Sequence, residues 1–495
     1  MGNKDASYLG RKNKSILLSS VFNVVKTFSS LVFPVITFAY ASRILGDVGI
    51  GQVNFAKSIV SYFVMFAMLG MNYYGTREGA KLRNDKEAFS KFAHEMFLIN
   101  GITTVSAYVF LLMALVFVPK LQDYRTLLLI SSAAILLQGL GLEWMYQAIE
   151  EYRYIAIRSV VFQLAAFVAL FLFVREKDDV VPYAVITVLA GSGSYLLNFL
   201  NARKYIRFRR YGHYEILRHL KPILWLFAMV VSIELYTVLD STMLGFLKGD
   251  AAVGRYTAAV KVNKMVVHLI TAAGSVLIPR LSFYIRHNEG RKLHELLVKF
   301  YNYVFLFSVP AAVGLFMLSD DVIVLFSGNE FLSAGLTMRI LTPIILVITF
   351  SITTNQQTLI PMGKEKLMLI ATAVGAVVNL TLNRFLIPLY AENGAAVATV
   401  AAETAVAVIS FLNIRKYFDM KKVFCRYWQY WAAAFPIPII VCLIKLMRLR
   451  CAAETMIAIA ASAVCYFCVL LWLKNPILLE LSKKLSAGKK PKHQE

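Results

Sequence analysis

Apolar residues fall in runs of roughly twenty or more, separated by short polar breaks, and show neither the alternation of barrel strands nor the one-sided stripe of soluble helices. A run of about twenty residues spans the bilayer core as a helix, because only helices and closed barrels satisfy their own backbone in lipid. The pattern predicts an all-α polytopic membrane protein with about fourteen transmembrane helices: 15–40, 51–73, 94–117, 127–148, 153–173, 181–200, 222–246, 253–278, 298–318, 333–358, 367–388, 394–412, 428–446 and 454–473. An even number places both termini on one side. Roughly 36 lysines and arginines lie in the tails and the loops on that side and about 11 opposite, so the positive-inside rule predicts cytoplasmic termini in a cell membrane.

Composition agrees with the pattern. The 495 residues are 58% hydrophobic and 16% charged, whereas charged residues make up about a quarter of soluble domains. Mean hydropathy is +0.63. The formal charge of +23 sits in short loops between spans rather than on one folded face, which is a topogenic pattern and excludes a nucleic-acid reading. Five cysteines occupy the last fifth of the chain, and the CxxC of Cys465 and Cys468 lies inside a span, where it reads as packing. No disulfide, metal site or cofactor is expected. The first apolar run ends in Ala39, Tyr40 and Ala41, like a signal-peptidase site, but it exceeds a signal h-region of about 7–15 residues and reads as a retained helix.

An internal repeat divides the chain. DVGIGQVNFAKS from Asp47 aligns with DAAVGRYTAAVKV from Asp250, matching the aspartate, Gly51 with Gly254, and one alanine. Each copy follows an odd-numbered span and opens an even-numbered one, so the halves share one orientation. The basic segment 201–221 reads as the connector. The expected organisation is 1–211 as an N-terminal six-helix lobe, 212–418 as a C-terminal six-helix lobe, and 419–495 as an extra helix pair with a basic tail. Residues 76–91 read as a solvated connector, with a surface helix as the alternative.

Asp250 to Arg280 carries Lys261, Lys264 and His268 on one helical face inside a segment otherwise apolar enough to span. Each lysine near mid-span costs roughly 2.5–3.5 kcal/mol on the lenient insertion scale. Together with Lys26, Lys57 and Arg339 the burden would be roughly 12–17 kcal/mol if all faced lipid, about the whole stability of a domain. These cations therefore either snorkel or line a hydrated cavity, and they are the candidate ligands for an anionic substrate. Asn23 and Asn54 extend the same stripes on spans one and two, where they would bind hydroxyls. Glu234, with His268, would either pair with a lysine or bind a coupling cation. Pro34 is the candidate hinge. Glu143, Asp240 and Arg384 read as interfacial.

The segments FPVITFAYASRILGDVGIGQVNFAKSIVSYF from Phe33, NQQTLIPMGKEK from Asn355 and IPLYAENGAAVATVAAE from Ile387 resemble the Wzx-type polysaccharide flippases. That group shares a MATE-like fold with lipid II flippases and multidrug antiporters. The resemblance implies two six-helix bundles around a central cavity plus a C-terminal helix pair. It also implies a non-enzymatic flippase moving polyprenyl-pyrophosphate-linked oligosaccharide to the outer leaflet, with a polysaccharide polymerase as candidate partner. Two alternatives stay open: a MATE-type exporter of cationic drugs, which would need carboxylates in its cavity, and a membrane glycosyltransferase or polymerase. The short loops opposite the cytoplasm, typically about six to twelve residues, weigh against the last.

Overall fold

The computed structural model describes residues 16–209, 211–275, 278–287, 289–447 and 451–479. For residues 16–28, 30, 31, 229, 232, 233, 235, 236, 273, 275, 278 and 279 it describes the backbone alone. Among the described residues the chain is helical, and each predicted span falls on helix. Nine described helices are long and apolar enough to cross a membrane, or ten if Ala334–Leu341 and Ile344–Leu359, bent by 42°, are one span. The Ile16–Met68 and Glu365–Ile414 helices each carry two predicted spans. The protein is a multi-pass membrane protein.

The first long helix breaks at Gly46 (φ 68°), a left-handed conformation that glycine adopts without a β-carbon clash. Its dihedrals stay helical through Pro34, so the break falls twelve residues beyond the expected hinge, at the Leu45-Gly46-Asp47 loop of the repeat. Glu365–Ile414 breaks at Ala391 (φ 48°, ψ −128°), just after Pro388. The chain then doubles back so tightly that a β-carbon on Gly394 would lie 2.2 Å from the Leu386 carbonyl oxygen.

Two compact units result, 1–254 and 255–495, which differs from the expected boundary at 211/212. The reason is that Ile216–Leu247 packs on the first helix. Phe55 meets Phe246 at 5.3 Å between ring centres, and the Tyr62 hydroxyl lies 3.1 Å from Thr242 Oγ1. Within the first unit, residues 76–91 are not simply a solvated connector. Met71–Leu82 is a helix whose Gly75 and Gly79, one turn apart, bury against Trp144. A β-carbon on Gly75 would lie 2.6 Å from the Trp144 ring.

The C-terminal pair expected as a separate piece packs into the second unit. Tyr430 and Tyr466 are fully buried beside Gly290–Met317. Tyr430 Oη donates to Asn302 Oδ1 at 3.1 Å, and Tyr466 Oη donates to the Leu306 carbonyl at 2.9 Å. A buried tyrosine needs such a partner for its hydroxyl, so these two bonds fix the register of the pair against the unit.

Candidate functional site

Five helical segments of the first unit line a cavity of about 540 Å³. The second arm of the first helix contributes Lys57 and Ser61, Arg125–Leu140 contributes Ser131 and Gln138, and the bent segment after Val180 contributes Thr187 and Ser192. Glu234 enters from Ile216–Leu247, and Asn72 and Tyr73 close one end. Hydroxyl, amide and charged groups thus share the cavity wall with Val60, Val64, Met65, Met68 and Val230. Lys57 is exposed within the cavity, as expected for a cation that lines water rather than lipid.

The π-helical turn Leu189–Gly193 explains part of this wall. Its Ser192 is buried at the cavity edge, where Gln138 Nε2 donates to Ser192 Oγ at 3.3 Å. Such a turn places a polar side chain off the regular helical stripe, so helical spacing does not reveal it.

Asp250–Ser275, which belongs to the second unit from Arg255 onward, separates its polar residues by face. Asn263 is fully buried, its Nδ2 donating to the Ala259 carbonyl at 3.0 Å, whereas Lys261 and Lys264 are half-buried and His268 is exposed. The helix is tied down near its start. Arg255 pairs with Glu392 at 3.3 Å, and the Tyr256 hydroxyl lies 2.8 Å from Thr399 Oγ1.

Other candidates go elsewhere. Asn54 Nδ2 donates to the Ile50 carbonyl of its own helix at 2.7 Å, which occupies a donor otherwise available to a ligand. Arg339 is committed to Asp320 at 2.7 Å and stacks over Phe316 at 5.9 Å, so a nearby carboxylate accounts for a cation that the hydropathy pattern left unexplained. The side chains of Asn23 and Lys26 lie outside the described residues.

Residues 17–285, more than half of the chain, match the family described as polysaccharide biosynthesis protein. The chain belongs to that family. A putative O-antigen transporter of Shigella dysenteriae is 23% identical over 392 residues, covering 78% of this chain and 97% of that protein. Among solved structures, a lipid II flippase MurJ in an inward closed conformation superposes with a TM-score of 0.73 at 17% identity, covering 92% of this chain and 99% of that one. An inward-facing multidrug resistance MATE family transporter gives 0.62 at 15% identity, covering 80% of this chain and 97% of that one. These likenesses fix the fold as that of polytopic transporters.

In this polysaccharide biosynthesis family member the first unit also holds a buried ion pair that hydropathy alone obscured. Glu143, read as interfacial, is buried and bonded to Arg158 Nη2. Arg158 Nη1 also donates to Ser194 Oγ at 2.7 Å, and Asn198 Nδ2 donates to Glu143 Oε2 at 3.2 Å. Asp240 is likewise buried rather than interfacial. The usable signal was a charged residue near the end of one span, Glu143, and one of opposite sign near the start of the next, Arg158, which can neutralise each other.

Proposed function

We propose that this protein is a flippase that moves a polyprenyl-diphosphate-linked oligosaccharide from the cytoplasmic to the outer leaflet by alternating access, with both termini cytoplasmic. The observation that carries this reading is Lys57 in a cavity whose partly apolar wall also presents Ser61, Ser131, Gln138, Thr187 and Ser192. Hydroxyls and amides suit a sugar, and an ammonium suits a diphosphate as a point charge. The half-buried Lys261 and Lys264 are further ligands for the diphosphate on this reading. Lys26 and Asn23 belong to the proposed set by their helical register alone.

The likeness to a putative O-antigen transporter, over 78% of this chain and 97% of that protein, supports a lipid-linked glycan as cargo. Moving about two negative charges outward across an inside-negative 100 mV releases roughly 4–5 kcal/mol, enough to bias transport without a coupling ion. A polysaccharide polymerase acting on the delivered lipid-linked unit is the implied partner. The test is the Lys261→Gln, Lys264→Gln double variant in a strain that depends on this gene for surface polymer. Export is abolished while the protein remains in the membrane, and normal export would refute the role of the two lysines.

Glu234 in the same cavity is the observation that favours the rival, a cation-coupled drug exporter. Resistance to cationic drugs conferred on a sensitive host, without restored polymer, would decide for it.

A further inference from the structure

The first unit has a second hollow, of about 630 Å³, remote in character from the polar cavity. Lys86 contributes from the start of Lys86–Phe117, and Arg203, Arg207 and Arg209 from the segment that follows the Tyr195–Ala202 helix; Phe199 and Phe208 form its apolar wall. Among the described residues its lining includes no acidic side chain. The carboxylate at its rim is Glu87, shared by Arg209 at 2.9 Å and Arg207 at 3.9 Å. Four basic side chains thus converge on the hollow.

The same hollow continues an apolar surface. Leu196 and Leu200, on the outer face of the preceding helix, are 47% and 58% exposed, and Phe208 is 54% exposed. Leucines so exposed on a spanning helix face acyl chains, and the polar residues beginning at Arg203 mark where the chain meets the headgroup layer. The wall is also held in place: Arg207 N donates to Ser90 Oγ at 3.1 Å, and Phe199 stacks on Phe97 at 6.0 Å. Basic side chains therefore sit where a phosphate would lie, and leucines and phenylalanines lie where its hydrocarbon tails would run.

We propose that this hollow binds the headgroup of an anionic phospholipid of the surrounding bilayer, its phosphate held by Arg203, Arg207, Arg209 and Lys86 and its acyl chains lying along Leu196 and Leu200. Basic pockets at helix ends are a recurring form of such recognition. The arginines match phosphate geometry with paired donors, which lysine alone does not.

The experiment is native mass spectrometry of the full chain, released from nanodiscs of phosphatidylglycerol and phosphatidylcholine. The wild type retains phosphatidylglycerol selectively. Each neutralised cation is expected to weaken retention about fivefold, so the Arg203→Gln, Arg207→Gln, Arg209→Gln variant loses roughly a hundredfold. The exposed set Lys364→Gln, Lys366→Gln, Arg415→Gln keeps wild-type retention. Equal loss in both sets would overturn the proposal as generic charge attraction, and so would displacement of the lipid by millimolar inorganic phosphate. A photoactivatable phosphatidylglycerol applied to the unaltered protein provides a readout independent of variant folding. Crosslinks at Phe199, Phe208 or Leu200 are expected, and crosslinks confined to other sites would overturn the assignment.

Discussion

Gly51 lies directly against the backbone of Asp250: a β-carbon on the glycine would sit 1.9 Å from the Asp250 carbonyl oxygen. The relation is reciprocal, because a β-carbon on Gly254 would sit 1.9 Å from the Asp47 carbonyl oxygen. Both copies of the Asp-x-x-x-Gly repeat therefore cross at one point, each aspartate's carbonyl filling the space left by the other's glycine. Asp250 is further fixed by the Tyr124 hydroxyl, which donates to its Oδ1 at 2.5 Å.

Gly51→Ala or Gly254→Ala should each destabilise by about 1–3 kcal/mol, the usual range for overpacking a closed contact. The double variant should lose less than the sum, since one displacement of the two backbones relieves both clashes. Thermal unfolding in detergent reads the effect. Gly101→Ala, with no atom within 4 Å of the new carbon, should leave the midpoint unchanged or slightly raised. Equal behaviour of the three single variants would refute the crossing.

The buried Glu143 and Arg158 pair makes a prediction of a different form. Glu143→Gln leaves the Arg158 guanidinium uncompensated in a bundle interior and should cost about 3–5 kcal/mol. Glu143→Leu combined with Arg158→Met removes both charges and should recover most of that loss. The same unfolding assay decides it. A double variant no more stable than the single one would show that the surrounding Ser194 and Asn198 bonds, rather than the charge pair, carry the stability.

Lys57 and Glu234 line one cavity, and on the proposed function their substitutions separate cargo binding from coupling. Lys57→Gln should lower polymer export by about ten- to a hundredfold, the range for losing one charge-assisted hydrogen bond, with unchanged protein level. Glu234→Gln should keep transport in proteoliposomes driven by an imposed potential alone. Loss of that transport, with an intact response of the Lys57 variant, would assign Glu234 to a coupling cation.

Much of the fold was legible because lipid imposes a coarse length rule, and among the described residues the predicted spans fall on helix, some of it broken or bent. The repeat was legible for a steric reason: Gly51 and Gly254 are where two backbones touch, so few residue types fit. Met71–Leu82 was not, since its sequence is polar and its buried face is made of Gly75 and Gly79, which carry no hydrophobic signal. Site residues were legible only as unsatisfied charge. That logic could not show that Arg339 already has Asp320, nineteen residues away, or that Asn54 is bonded to its own helix.

Ala391 offers a test in the stabilising direction. Its φ of 48° with ψ of −128° is a conformation in which a β-carbon crowds the backbone, and it is held by the tight return of the chain after Pro388. Glycine adopts such angles without that clash, at the expense of a more flexible unfolded chain. Strain at such a position is of order 1–3 kcal/mol against about 0.5–1 kcal/mol for the added flexibility, so Ala391→Gly should be neutral to about 2 kcal/mol stabilising. Ala391→Val should be destabilising, because branching at the β-carbon worsens the same contact. Unfolding midpoints of the two variants should therefore move in opposite directions, or only the valine's should fall. A glycine variant less stable than the wild type would mean that the turn at Ala391 relaxes to an ordinary helical or extended conformation in the membrane.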